Sequence, residues 1–105
     1  MENPAHLAIN FILTNAPKYA AAKATRVQLE EYRKSKKAIL ASEEEGSLGA
    51  KEMYAYAHPD YVALLFEIKE AIAQEEELRW KLEAAKLRVD VWKTEEYTKR
   101  VEMKL

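Results

Sequence analysis

From residue 59 to the C-terminus, apolar side chains recur at alternating steps of three and four. The row runs Tyr61, Leu64, Ile68, Ala71, Glu75, Leu78, Leu82, Ala85, Val89, Trp92, Glu96, Lys99 and Met103. Between Tyr61 and Trp92 only Glu75 is not apolar. This seven-residue spacing is that of a helix with a narrow, coiled-coil-like seam. Leu65 and Ile72 widen the seam near its start. A second stripe recurs every seven residues on another face: Phe66, Ala73, Trp80, Leu87 and Val101, with Thr94 as its polar member and Val62, Ala84 and Val91 beside it. A helix with two apolar stripes packs against partners on two sides.

The chain's punctuation delimits the other elements. Gly46 and Gly49 are its only glycines, and its prolines are Pro4, Pro17 and Pro59. No segment alternates with period two between turn residues, so no strand is expected. Asn3 and Pro4 suit the start of a short helix over 4–14, whose run Leu7–Leu13 is apolar almost all round and suits burial in a core. Asn15 and Pro17 repeat that start signal and predict a new helix over 16–45. Gly46 suits the left-handed position past a helix end, and Glu43, Glu44 and Glu45 carry the wrong sign for the dipole there, which favours fraying. Residues 46–58 read as a turn with a short helix that Ser47 can cap. His58 precedes a proline and marks a boundary; Pro59 and Asp60 open a long helix over 59–104.

These elements predict one all-α domain over 1–105: a long antiparallel helical hairpin with a short N-terminal helix, dimerising into a helical bundle. Length supports the dimer in part, and a monomeric three-helix bundle is the competing fold. A helix over 17–45 spans about 43 Å and one over 59–104 about 69 Å, leaving roughly 25 Å for the N-terminal helix or a second chain to cover. The candidate dimer or partner surface comprises Phe11, Phe66, Trp80, Leu87, Val91 and Trp92.

Charge narrows the choice of partner. Among 105 residues there are 17 basic and 18 acidic side chains, so net charge gives no global attraction to nucleic acid or anionic lipid. The segment after Pro17 is nevertheless basic: Lys18, Lys23, Arg26, Arg33, Lys34, Lys36 and Lys37 stand against Glu30 and Glu31. Lys23, Arg26, Arg33 and Lys37 are the candidate nucleic-acid contacts, with Tyr19 and Tyr32 available for stacking. The competing reading is an ordinary solvated helix surface.

No catalytic signature is present. There is no HExxH, glycine-rich phosphate loop or nucleophile elbow, and His6 and His58 lie in separate segments. The inward Glu-x-x-His pairs of bundle metal sites are absent. The expectation is a non-enzyme with no catalytic residues, metal or cofactor. Glu75, the best candidate for a buried acid, reads as a polar residue that sets register or as one that reaches solvent. The tyrosine-rich stretch "YAYAHPDY" reads as a joint between helices, because its nearby charges are mixed and no acid–base partner stands beside it. The absence of cysteine excludes disulfides and thiolate chemistry and is compatible with a reducing cytoplasm. No signal peptide is expected at the N-terminus, and the apolar run there is too short to span a bilayer.

The second half of the chain, from Tyr54 and Tyr61 through Arg79-Trp80, Ala84-Ala85 and Val91-Trp92-Lys93, resembles small helical proteins encoded by tailed bacteriophages. The resemblance implies a phage or prophage context, a location in the bacterial cytoplasm and a short accessory protein. Such a protein would bind another protein, as an inhibitor of a host or defence protein or as an adaptor in recombination or replication. The resemblance carries no catalytic residues. Direct DNA or RNA binding by the basic segment is the alternative. Secreted hairpins with a Trp-x-Gly turn have similar length, but that turn is absent.

Overall fold

A computed structural model describes residues 3–105 as three helices: α1 (Pro4–Ser42), α2 (Leu48–Ala57) and α3 (Pro59–Lys104). The architecture is all-α, and within residues 21–75 α1 and α3 pack as a helical hairpin with α2 at its turn. Among the described residues there is no strand, and no helix is long and apolar enough to cross a membrane.

The expected break between a short N-terminal helix and a second helix at residues 15–16 does not occur. α1 is one helix of 39 residues with Pro17 inside it. Asn3 caps its start: the Asn3 side chain accepts from the His6 N–H at 2.8 Å. Asn15 does not act as a second cap. It is part-buried within the helix, and its side-chain amide donates to the Phe11 carbonyl at 2.9 Å. Pro17 removes one hydrogen bond, the one to the carbonyl of Leu13 four residues back. Leu13 is 69% exposed, so solvent can reach that position. A defect on the solvent side leaves the inward face of the helix to continue.

Continuity alters the length argument. α1 spans about 58 Å and α3 about 69 Å, so the difference falls from roughly 25 Å to about 10 Å. Unequal length alone no longer demands a second chain.

α1 ends at Ser42 and not at Glu45. The Glu43 and Glu44 N–H groups donate to the Leu40 and Ala41 carbonyls, three residues back, which tightens the last turn. The three glutamates therefore lie just past the helix end, and their charge, unfavourable inside the last turn, marks where the helix stops. Gly46 has φ +120°, a conformation that favours glycine. Ser47 caps α2 by accepting from the Ala50 N–H at 3.2 Å. His58 serves both neighbouring helices. It is the extended C-cap of α2, and its Nδ1 accepts from the Asp60 N–H at 3.0 Å at the start of α3.

The chain forms two compact units, Ala21–Glu75 and the described part of Met1–Ala20 with Glu76–Leu105. In the first, Leu40 of α1, Ala55 of α2 and Tyr61 of α3 make a tight cluster with Ala41 against it. Tyr56 and Tyr61 meet edge to face at 5.5 Å, as do Tyr54 and His58 at 5.6 Å. In the second unit, Ala5 and Ala8 of α1 and Leu82 and Ala85 of α3 are buried.

The α3 seam follows the periodic row. Tyr61, Leu64, Ile68, Ala71, Glu75, Leu82 and Ala85 are buried, and Leu78, Val89, Trp92 and Glu96 are half-buried. α1 has a matching row at the same steps: Ala5, Ala8, Ile12, Asn15, Tyr19, Ala22, Arg26, Leu29, Lys36 and Leu40 are buried or half-buried. At that spacing only Arg33 is exposed.

Candidate protein-binding face on helix α3

Within the unit that contains Glu76–Leu105, the second stripe of α3 lies open. Trp80 is 61% exposed, Leu87 62% and Val91 56%, and Ala84 between them is exposed too. At 100° per residue these four positions lie within roughly 60° of each other and about 150° from the seam residues Leu82, Ala85 and Val89. α1 therefore packs against one side of this helix, and the stripe occupies the other. Arg79 lies over the Trp80 ring at 5.1 Å and pairs with Glu76 at 3.1 Å, which supports the indole from one side.

The stripe has two different edges. Along one, Glu76, Glu83 and Asp90 follow at intervals of seven; along the other, Lys81 and Arg88 do. Lys81 pairs with Glu77 at 3.0 Å and Glu83 with Lys86 at 3.3 Å, both exposed contacts within α3. Arg88 makes no ion pair among the described residues. The basic edge also borders a groove of about 370 Å³ lined by Leu7, Ala8 and Phe11 of α1 and by Lys81, Ala84, Ala85 and Arg88 of α3.

The six candidate surface residues thus occupy different environments. Trp80, Leu87 and Val91 share the open face. Trp92 is half-buried on the seam, and Phe11 is half-buried beside the groove. Phe66 is 62% exposed in the other unit. Leu7, 58% exposed at the groove, and the charged edges were not picked out by apolar spacing alone. The edges could have been found by asking which charges flank the stripe at heptad spacing.

The four candidate nucleic-acid contacts also diverge. Arg26 belongs to the inner row of α1. Its Nε and Nη2 donate to the two Glu75 carboxylate oxygens, the latter at 3.1 Å, and Nη1 donates to Glu30 at 3.0 Å. The hydrogen bond to Glu75 raises the Arg26 pKa above its ordinary value, overcoming the opposing effect of burial. Glu75, 6% exposed, is thus a buried acid held by a guanidinium fork. Lys37 donates to the Tyr56 hydroxyl at 2.6 Å, which raises its own pKa. Lys23 and Arg33 are exposed and make no ion pair among the described residues. They stand about 15 Å apart along α1 and roughly 80° apart around it.

In the tyrosine-rich joint, Tyr54 donates to Glu43 at 3.4 Å, and its pKa is raised by desolvation and by the neighbouring Glu43 charge. Among the described residues no three His, Cys, Asp or Glu side chains gather to hold a metal ion. No protein family, curated protein or solved structure matches the chain.

Proposed function

We propose that this chain is a non-enzymatic accessory protein that acts by protein–protein binding through the open face of α3. The observation that carries this reading is the alignment of Trp80, Ala84, Leu87 and Val91 on a side of α3 that α1 does not use. An apolar stripe with an exposed tryptophan at its head, rimmed by charge, has the anatomy of a helical docking surface. The resemblance to phage-encoded helical proteins supports a role as an inhibitor of a host or defence protein, or as an adaptor in recombination or replication.

Direct nucleic-acid binding has weaker support. Two of its four cations, Arg26 and Lys37, already serve hydrogen bonds within the fold, and Lys23 and Arg33 diverge around the helix. The test is capture from a nuclease-treated bacterial lysate by the wild-type chain and by a Leu87→Glu, Val91→Glu variant of unchanged helicity. A protein retained by the wild type and lost by the variant supports the reading. Equal retention by both removes the α3 face as the binding surface. Capture that disappears with nuclease favours nucleic acid.

A further inference from the structure

The open face of α3 has a chemistry that complements itself. We propose that its occupant is a second copy of this chain, joined α3 to α3, parallel and in register. The inference rests on the protein-binding reading above and names the partner at that face.

The core of the contact is set by spacing. Trp80, Ala84, Leu87 and Val91 follow steps of four, three and four, which are the core positions of a two-helix coiled coil. Trp80 and Leu87 occupy one class of core position, Ala84 and Val91 the other. A β-branched residue at the position of Val91 with leucine at that of Leu87 is the pairing that favours two parallel strands. The seam is bounded at both ends. Glu77 takes the core position before Trp80, and Thr94 and Thr98 take those after Val91.

The edges choose the orientation. In a parallel pair, each residue just before a core position of the class that holds Ala84 and Val91 faces, on the other helix, the residue five places later. Glu76 then faces Lys81 of the second copy, and Glu83 faces its Arg88. Two-fold symmetry makes each contact twice, giving four attractive pairs. An antiparallel pair sets acidic edge against acidic edge and basic against basic, so like charges meet. The next parallel pair, Asp90 with Glu95, is repulsive and coincides with the polar end of the seam. The intrachain partners of Glu76, Glu83 and Lys81 are exposed contacts that an approaching chain can share, and Arg88 has none among the described residues. α1 packs on the seam side of α3 and borders only the basic edge, at the groove shared with Lys81, Ala84 and Arg88, so Trp80, Leu87 and Val91 stay exposed to a second chain.

Two heptads of core cover less area than a tight complex needs, so a micromolar dimer is expected. Sedimentation of the full chain from about 1 to 500 µM should show a reversible monomer–dimer equilibrium. The native chain has no cysteine, so single thiols report register. Ala84→Cys and Val91→Cys should each give a disulfide-linked dimer in a glutathione redox buffer, because both sites meet their own copies in a parallel register. An antiparallel pair can centre on one of them at most. Glu83→Lys and Arg88→Glu should each weaken the dimer roughly tenfold, since two attractive pairs become repulsive. The double variant should restore it.

Cross-linking at only one site, or tighter association of the single reversals, overturns the parallel arrangement. A monomer at the highest concentration, with helicity intact, overturns the dimer. A monomer that still captures a protein partner through Leu87 and Val91 leaves the protein-binding reading standing. A monomer whose capture is indifferent to those residues removes both.

Discussion

Leu40 is the most demanding test of the turn end of the hairpin. It is 1% exposed and touches Ala55 of α2 and Tyr61 of α3, so three helices meet at one side chain. Leu40→Ala removes three carbons, about 2.4 kcal/mol of transfer free energy at 0.8 kcal/mol per buried methylene. A cavity that stays open adds to this, and large-to-small changes of this kind reach about 5 kcal/mol when the surroundings are rigid. Here Ala55 sits on a ten-residue helix between two links, so partial collapse is available. The expected loss is therefore about 3 kcal/mol, near the lower end of the range. Leu48→Ala is the control: Leu48 is 75% exposed, and its loss should stay within about 0.5 kcal/mol.

Urea unfolding followed by far-ultraviolet circular dichroism measures both variants. Protein concentration must be held below that of self-association, so that mass action does not enter the difference. An unchanged slope with a shifted midpoint assigns the effect to stability. If Leu40→Ala costs less than about 1 kcal/mol, or no more than Leu48→Ala, then α2 does not pack on this end of α1 and α3, and the cluster does not organise the turn.

Pro17→Ala restores an N–H at an exposed position inside α1 and should raise stability by up to about 3 kcal/mol, read as a higher midpoint in the same unfolding assay. His58→Asn should be tolerated because asparagine supplies a capping acceptor, whereas His58→Ala should cost about 1 kcal/mol; thermal melts of the two compare them, and equal losses would argue against capping through Nδ1. Glu75→Gln removes the buried carboxylate that Arg26 holds, and should lower the melting temperature at least about twice as much as Glu76→Gln, whose carboxylate is 45% exposed.

The α3 seam was legible because its inward positions from Tyr61 to Trp92, Glu75 excepted, are apolar at steps of three and four. The partner row on α1 was not. Its inward positions include Asn15, Arg26 and Lys36, so a search for apolar periodicity passes over it. Arg26 shows why the polar members escape. In sequence it is one cation in a basic run, while in the fold it meets Glu75, 49 residues away, which the α3 pattern registers as a lone interruption. Two apparent defects in separate helices are one contact. Pro17 misled for a different reason. Asn-x-Pro is a valid helix start by local chemistry, and only burial on both sides of it, at Ile12, Asn15, Tyr19 and Ala22, holds one helix through it. The two tryptophans differ by seam position. Trp92 continues the row of Leu82, Ala85 and Val89, whereas Trp80 falls on the other stripe; spacing separates them, but only the position of α1 shows which stripe is covered within the chain.

The inner rows also bear on why the outer stripe matters. Much of what the hairpin buries is alanine: Ala5, Ala8 and Ala22 on α1, Ala55 on α2, and Ala71 and Ala85 on α3. Small side chains let helices approach closely but remove little apolar area from water, and among the described residues Leu40 is the one large side chain buried to below 2% exposure. A chain of 105 residues with so thin a core has little stability to spare. Trp80, Leu87 and Val91 together carry more apolar surface than those alanines in the same unit, and each of the three is more than half exposed. Covering that face on a second copy would therefore act on folding as well as on assembly, because only the folded helix presents the stripe. The melting temperature of the wild type should then rise with protein concentration. That of Leu87→Glu should be lower at high concentration, similar at low concentration, and flat between. A wild-type melt independent of concentration would separate the stability of the hairpin from any use of its outer face.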